Sequence, residues 1–418
     1  MLATARDRFL LALQYREYRT LWTANVFAGA AAWGLIVARG WLAFDTTDSS
    51  LWVGVVTFLA MAPRFFATPL IGYLADRFDR QTLLSSAYAL QLAHAVVLAA
   101  LLTAGLLETW SLVLLSLVNG SLRASEMVST QSLVPNLLPR EHLMNAVALN
   151  EATQQGSRLV GPLAIAPLLA LVNLEAAFWL CGAFYGLALI QSLRITTRSR
   201  GAVDRSRGVF SNLGSGFKYV YRQPRVLTMV LLALLHCSLT MSFESMLPAL
   251  SDEILGAGSA GVSLLIAGVG AGALVTAVFL AGVRSEANRG RLFLLFGVAS
   301  GLSPIWLAFS TEAELSMLAM VAIGASQAGF MTITHTIIQS IVDDGFRGRV
   351  SGIYSMHVGG AMAVANLANG SLADFFSAPM VLAVGGIMFI AVMAASLGLG
   401  ATRRIYFPKP EEAPLVAA

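Results

Sequence analysis

The chain has 418 residues, 57% of them hydrophobic and only 12% charged, with a net charge of +4. A water-soluble domain carries about 25% charged residues, so half that fraction, at a mean hydropathy of +0.72, excludes a water-facing surface over most of the chain. At about 20 residues per crossing plus short loops, the length accommodates roughly a dozen membrane-spanning helices.

Taken from the N-terminus, Arg6, Arg8, Arg16 and Arg19 lead straight into an apolar run of crossing length with no cleavage-site pattern, which predicts an uncleaved first span. Such runs are predicted at roughly 20–44, 51–75, 82–104, 109–134, 143–172 and 175–193, and again at roughly 226–250, 258–283, 290–310, 315–341, 349–373 and 378–402. Each must be helical, because lipid offers the backbone no hydrogen-bond partner. Between the sixth and seventh runs lies the one long polar stretch. It holds Arg198, Arg200, Arg205 and Arg207, then an amphipathic segment, 210–221, expected to lie along the membrane surface. The predicted architecture is an all-α membrane protein of twelve transmembrane helices. They form two six-helix bundles, residues 1–194 and 226–418, joined by a cytoplasmic linker, 195–225. Cys181 and Cys237 both fall inside apolar runs and read as small core residues rather than a disulfide.

Orientation follows from the basic residues. Of the 27 Lys and Arg, Arg39, Arg64, Arg123 and Arg158 fall well inside predicted spans; the rest lie at the chain ends, in the linker or in even-numbered loops and the span starts beside them (Arg291, Arg349). The odd-numbered loops carry acids such as Asp45, Asp48, Glu108, Glu175, Asp252 and Asp374. The positive-inside tendency then places both termini in the cytoplasm. The basic residues are thereby accounted for as orientation signals, and no nucleic-acid partner is expected. The halves also echo one another. Tyr15-Arg16-x-x-Arg19 before the first span returns as Tyr221-Arg222-x-x-Arg225 before the seventh, about half a chain later. Parallel repeats of this kind place a transport site at their interface, near the bilayer midplane.

Gly72-Tyr73-Leu74-Ala75-Asp76-Arg77-Phe78-Asp79-Arg80 joins spans two and three. It resembles the G-x-L-A-D-R-x-G-R-[KR] signature of the major facilitator superfamily, with Asp79 where the general signature has Gly. The variant D-R-F-D-R is similar to the branch that includes enterobactin exporters and related multidrug efflux proteins. Leu133-Val134-Pro135, the run Asn145-Ala146-Val147-Ala148-Leu149-Asn150, and Arg347-Gly348-Arg349-Val350-Ser351-Gly352 fit that branch too. The resemblance implies the major facilitator fold with pseudo-two-fold symmetry and a place in a bacterial inner membrane. It also implies a cytoplasmic latch at Gly72, Asp76, Arg77 and Arg80 that holds the halves together in the outward-open state. Physically, Asp76 at a helix end can face the positive N-terminus of a neighbouring helix. In span five, Ser157-Arg158-Leu159-Val160-Gly161-Pro162 partly resembles the G-x-x-x-G-P core of proton-driven exporters. There Gly161 would permit close helix approach and Pro162 a bend.

An ionisable group at mid-bilayer costs about 2.5–3.5 kcal/mol on the mildest scale, so it faces a cavity or a partner. Arg123 and Glu126 lie three apart on one face of span four and can pair directly. Glu151 and Arg158 lie seven apart on span five with Gln154 and Gln155 between them, and Glu126 and Glu151 should sit at similar depth. Glu126, Glu151 and Glu244 are therefore the proton-coupling candidates; Glu244 has no evident partner within its own span. The alternative is an Arg–Glu network that only holds spans four and five together. Substrate-cavity candidates are Arg39, Arg123, Arg158, Asn25, Gln154, Gln327 and Asn366. The histidines His94, His236, His335 and His357 are scattered over four spans without metal-ligand spacing, so no metal site is expected.

No G-x-x-x-x-G-K-[ST] loop and no soluble catalytic domain occur, so no cofactor and no enzymatic reaction are expected. The sequence reads as a secondary active transporter, a monomer whose partners are a small-molecule substrate, protons and lipid. It would export a small amphipathic molecule (a drug, siderophore or metabolite) by proton antiport with alternating access. The alternatives are an uptake carrier or uniporter of the same fold, or a non-transporting membrane receptor or assembly protein.

Overall fold

Apolar segments that can satisfy their backbone only within themselves become helices. In the computed structural model, which describes residues 11–199, 209–252, 256, 258–281, 286–343, 346–398 and 400–407, every long apolar run is helical. Side chains are described in these ranges except at 64–70, 72–76, 140, 144, 209–213, 281, 286–288, 347, 348, 401 and 404. Spans one to six are Arg16–Thr47, Ser50–Arg77, Arg80–Thr103, Thr109–Leu133, Leu143–Leu171 and Leu174–Leu193. Spans seven to twelve are Pro224–Leu250, Gly258–Ala281, Glu286–Ala308, Ala313–Ile341, Arg347–Phe376 and Ala378–Ser396. Among the described residues, eight of these segments are long and apolar enough to cross a membrane by length and composition. Span two adds the apolar stretch Ser50–Pro63. Spans four, five and eleven are more polar, since they carry Arg123 and Glu126, Glu151 and Arg158, and Asn366, Asn369 and Asp374.

The packing repeats with the sequence. Span one packs on five and six, two on four, and three on four and six; correspondingly, seven packs on eleven and twelve, eight on ten, and nine on ten and twelve. Two broad contacts join the sets, span two with eleven and span five with eight. Shifting each span number by six maps one contact onto the other, which is the pseudo-two-fold relation of a duplicated six-span unit. One end of the molecule holds residues 11 and 407 (the tail end here); the loops after spans one and eleven lie at the opposite, distal end.

The apolar cores differ between these ends. One core runs from spans one to six into the distal parts of the other six, taking in Phe243, Leu247, Leu265, Val269, Met320 and Leu382. The second lies in the tail half of spans seven and nine to twelve, around Val230, Phe293, Phe330, Ile338, Tyr354 and Phe389, with Val220 and Tyr406 added from outside the spans. Among the described residues, apolar packing is thus continuous across the two sets at the distal end and divided at the tail end.

Three expectations are modified. Span seven is not one continuous helix: an α-helix, Pro224–His236, passes into a π-helical turn, Cys237–Met241, then a 3₁₀ turn, Glu244–Met246, and a last turn, Leu247–Leu250. Pro248 has no N–H to give the carbonyl four residues back, and its ring crowds that carbonyl, so a regular helix cannot run through Glu244. The amphipathic segment is a helix, Val209–Arg222, seated on the start of span eleven. Val220 is buried, Tyr219 stacks on Phe346 at 4.5 Å, and Tyr219 donates to Asp343 at 3.0 Å. The later part of its apolar face is therefore covered by protein. Span twelve stops at Ser396, and a separate short helix, Gly400–Tyr406, follows it.

Candidate functional site

Span four presents Arg123 and Glu126 one helical turn apart, and their side chains form an ion pair with both residues buried. Neighbouring spans bring polar groups to the same place. Asn25 of span one donates to Asn150 of span five at 3.2 Å, and Tyr88 of span three donates to Asn25 Oδ1 at 2.9 Å. Thr130 of span four reaches the same oxygen at 3.4 Å. Together Asn25, Arg123, Glu126, Met127, Thr130, Gln131, Asn150, Glu151 and Gln154 line a cavity of about 230 Å³. One Glu126 oxygen, Oε2, is buried without a hydrogen-bond partner. Glu151 adds a second carboxyl group to the lining.

The depth of this cavity follows from helix geometry. Asn25 lies nine residues from the start of span one, and Glu151 eight from the start of span five. At 1.5 Å per residue both sit about 12–14 Å in from the tail end. The cavity therefore occupies the tail half of the molecule, below the end at which the apolar core is closed. Its volume is under the roughly 300–1,000 Å³ of a drug-sized site, enough for the polar part of an amphipathic molecule.

Of the residues singled out from sequence, Asn25, Arg123, Gln154, Glu126 and Glu151 meet at this cavity; Arg39, Arg158, Gln327, Asn366 and Glu244 do not line it. Arg39 donates to Asn119 at 2.9 Å, and Asn119 donates to Gln91 at 2.9 Å, inside the packed core of spans one, three and four. Arg158 does not turn to Glu151. Seven residues of helix separate their Cα atoms by about 10 Å, and the Arg158 guanidinium instead lies over the Trp33 ring, 4.9 Å from its centroid. The charge acting on Arg158 is Glu244 of span seven, from the other six-helix set.

Gln327 and Asn366 are committed to the break in span seven. Gln327 donates to the Thr240 carbonyl at 2.9 Å, Asn366 accepts from the Ser245 N–H at 3.2 Å, and Asn369 donates to the Ser242 carbonyl at 2.7 Å. A broken helix inside a membrane leaves backbone groups that must be satisfied from neighbours, and three amides from spans ten and eleven do so. Gly161 is a contact point with span one: a Cβ there would meet Trp33 Cβ at 2.9 Å and the Ala30 carbonyl closer still. Span five continues through Pro162.

At the latch segment, Arg77 is exposed, and Arg80 donates to the Ser132 carbonyl at 2.9 Å, tying the start of span three to the end of span four. The side chains of Gly72 and Asp76 lie outside the described residues, as do that of Arg64 and linker residues Arg200, Arg205 and Arg207. Asp79 caps span three by accepting from the Thr82 N–H at 2.9 Å, and it binds the linker through Arg198 at 3.2 Å and the Ser199 N–H at 3.0 Å. Burial pushes its carboxyl up, but these donors outweigh that and hold it below the usual carboxylate range. Sequence reasoning missed Tyr88, Thr130, Asn150 and Trp33 as site residues; isolated polar or aromatic residues in apolar helices announce no partner.

A duplicated six-helix architecture with a charged, half-depth cavity defines a membrane transporter of the major facilitator fold. The chain belongs to the transmembrane secretion effector family within that superfamily, whose model matches residues 10–405. Similar proteins include the uncharacterized MFS-type transporter YfiS of Bacillus subtilis, 23% identical over 383 residues, covering 89% of this chain and 90% of the relative. The enterobactin exporter EntS of Shigella boydii is 24% identical, covering 85% of this chain and 82% of its own. The multidrug efflux pump Tap of Mycobacterium tuberculosis is 25% identical, covering 84% and 85%. Among solved structures, a POT family transporter in complex with a thioalcohol conjugated peptide superposes with a TM-score of 0.74 at 13% identity, over 93% of this chain and 96% of that one. The nucleoside transporter NupG superposes with a TM-score of 0.72 at 11% identity, over 94% and 100%. These likenesses show the fold.

Proposed function

We propose that the protein exports a small amphipathic molecule in exchange for protons, as a monomer in a bacterial inner membrane with both termini cytoplasmic. Residues 1–194 and 226–418 would be the two moving halves and 195–225 their linker, rocking about spans two, five, eight and eleven. On this reading the tail end is cytoplasmic and the described state faces inward.

The observation that carries the proposal is the buried Arg123–Glu126 pair on the wall of the tail-half cavity, with Glu151 beside it. A substrate bearing a polar or cationic group would engage Glu151 and Glu126 and loosen the pair. Rocking toward the outside would then separate substrate from carboxylate. A buried carboxylate that loses its cationic neighbours favours the protonated form, so a proton taken up outside would reset the pair on return. Glu244 and Arg158 act across the two halves, and protonation of Glu244 would weaken that attraction in step. The exporter names among the relatives support the direction, and those proteins' own substrates set the panel to test: a siderophore and lipophilic drugs.

In everted membrane vesicles with an acidic interior, addition of substrate should raise the internal pH in a protein-dependent way, and Glu126→Gln or Glu244→Gln should abolish the rise, with labelled substrate still binding to Glu244→Gln. Substrate flux without any pH change would replace this reading with uniport or uptake. Binding without flux would indicate a receptor.

A further inference from the structure

The distal closure has a polar element that the transport site does not use. Span one ends at Asp48, in the left-handed region at φ 50°, and Ser49 leads directly into span two. The first N–H groups of that helix have no intrahelical acceptor. They are met from the other half: the Asp374 carboxylate, near the end of span eleven, accepts from the Ser49 hydroxyl at 2.5 Å, the Ser50 N–H at 2.7 Å and the Leu51 N–H at 3.2 Å. The seam beneath is backbone against backbone. A Cβ on Gly54 would meet the Asn366 carbonyl at 2.8 Å, and one on Gly370 would collide with the Ser50 carbonyl.

We propose that Asp374 is the outer-gate residue of this transporter: its carboxylate, seated on the N-terminus of span two, holds the distal seam shut, and the seam opens when that seat is vacated. The proposal rests on the inward-facing reading given above. Charge assists these hydrogen bonds, and the positive end of a helix favours an anion. The seat joins residues more than 320 positions apart across the interface along which the halves must part. It also lies at the rim, where Asp374 is exposed. On opening, water replaces each lost hydrogen bond, so the seat biases the closed state without locking it. A buried pair there would lack that exchange and oppose opening in every cycle.

The test reads accessibility from each face. With Cys181 and Cys237 replaced by serine, Gln131→Cys on the cavity wall is labelled with a membrane-impermeant maleimide, in right-side-out and in everted vesicles. In the parent, labelling is expected predominantly from the everted, cytoplasmic face. Asp374→Asn should raise labelling from the right-side-out face about tenfold, Asp374→Glu should return it toward the parent, and Ser49→Ala should give a smaller rise. The proposal is overturned if Asp374→Asn and Ser49→Ala both leave right-side-out labelling at the parent level. It is equally overturned if Asp374→Glu behaves as Asp374→Asn does, since retained charge would then be irrelevant. Should the parent label only from the right-side-out face and Asp374→Asn open the everted one, the seat stands and the orientation reading falls.

Discussion

Replacing one member of the Arg123–Glu126 pair tests whether it is a desolvated interaction or a solvated cavity contact. Both residues are below 10% exposed, at 7% and 5%, so the buried case applies. Removing one partner then costs about 3–5 kcal/mol, while replacing both with apolar residues of similar size is close to neutral. The two singles should differ in kind. Glu126→Leu leaves a guanidinium that cannot shed its proton, whereas Arg123→Met leaves a carboxyl that can gain one. Glu126→Leu should thus be the more damaging. At about 2–4 °C per kcal/mol for domains of 150–250 residues, and about half that for a chain of this length, the larger single should lower the unfolding midpoint by about 3–10 °C. Cys181 and Cys237 are free and buried, so a thiol-reactive dye follows unfolding directly. The double variant Arg123→Met/Glu126→Leu should recover most of the loss yet transport without moving protons. Singles costing under about 0.5 kcal/mol, with a strictly additive double, would refute the reasoning.

Asp79→Gly, which restores the general signature residue, should cost only a few tenths of a kcal/mol through loss of the span-three cap, plus about 1 kcal/mol through the lost bonds to Arg198 and Ser199, and detach the linker, seen as faster proteolysis after Arg198. Because the folded carboxyl sits below its unfolded range, its stabilisation is present above about pH 4 and lost as pH falls through the folded value. The midpoint difference between the natural chain and Asp79→Gly should therefore shrink only in acid. Gln327→Leu strands the Thr240 carbonyl at the span-seven break and should cost about 1–3 kcal/mol, with hydrogen exchange rising first in that span. Gly161→Val drives a side chain into the Ala30 backbone, which cannot yield as a side-chain tip can. A loss of about 1–3 kcal/mol or more, with disordered packing of span one on span five, is the expected result in thermal unfolding.

Much of this molecule was legible in its sequence because the membrane leaves few options. Lipid forces each apolar run into a helix, so span positions followed from hydropathy, and the repeat of Tyr15-Arg16 in Tyr221-Arg222 announced a duplication that the packing repeats pair by pair. The Arg123–Glu126 pair was readable because both members lie on one helix, where spacing fixes distance. Side-chain partnerships between helices were not readable. Arg158 and Glu151 share a face yet are too far apart along the axis; Arg158 lies over Trp33, and the charge that reaches it is Glu244 of the other six-helix set. Gln327 and Asn366 have the appearance of cavity residues until the break at Pro248 shows which carbonyls and N–H groups they serve. Asp374 reads as one more loop acid until span two is set beside span eleven. Local sequence determines helices, ends and topology because those depend on near neighbours and solvent. Which charge meets which depends on the rotation and depth of separate helices, and only the packed structure sets those.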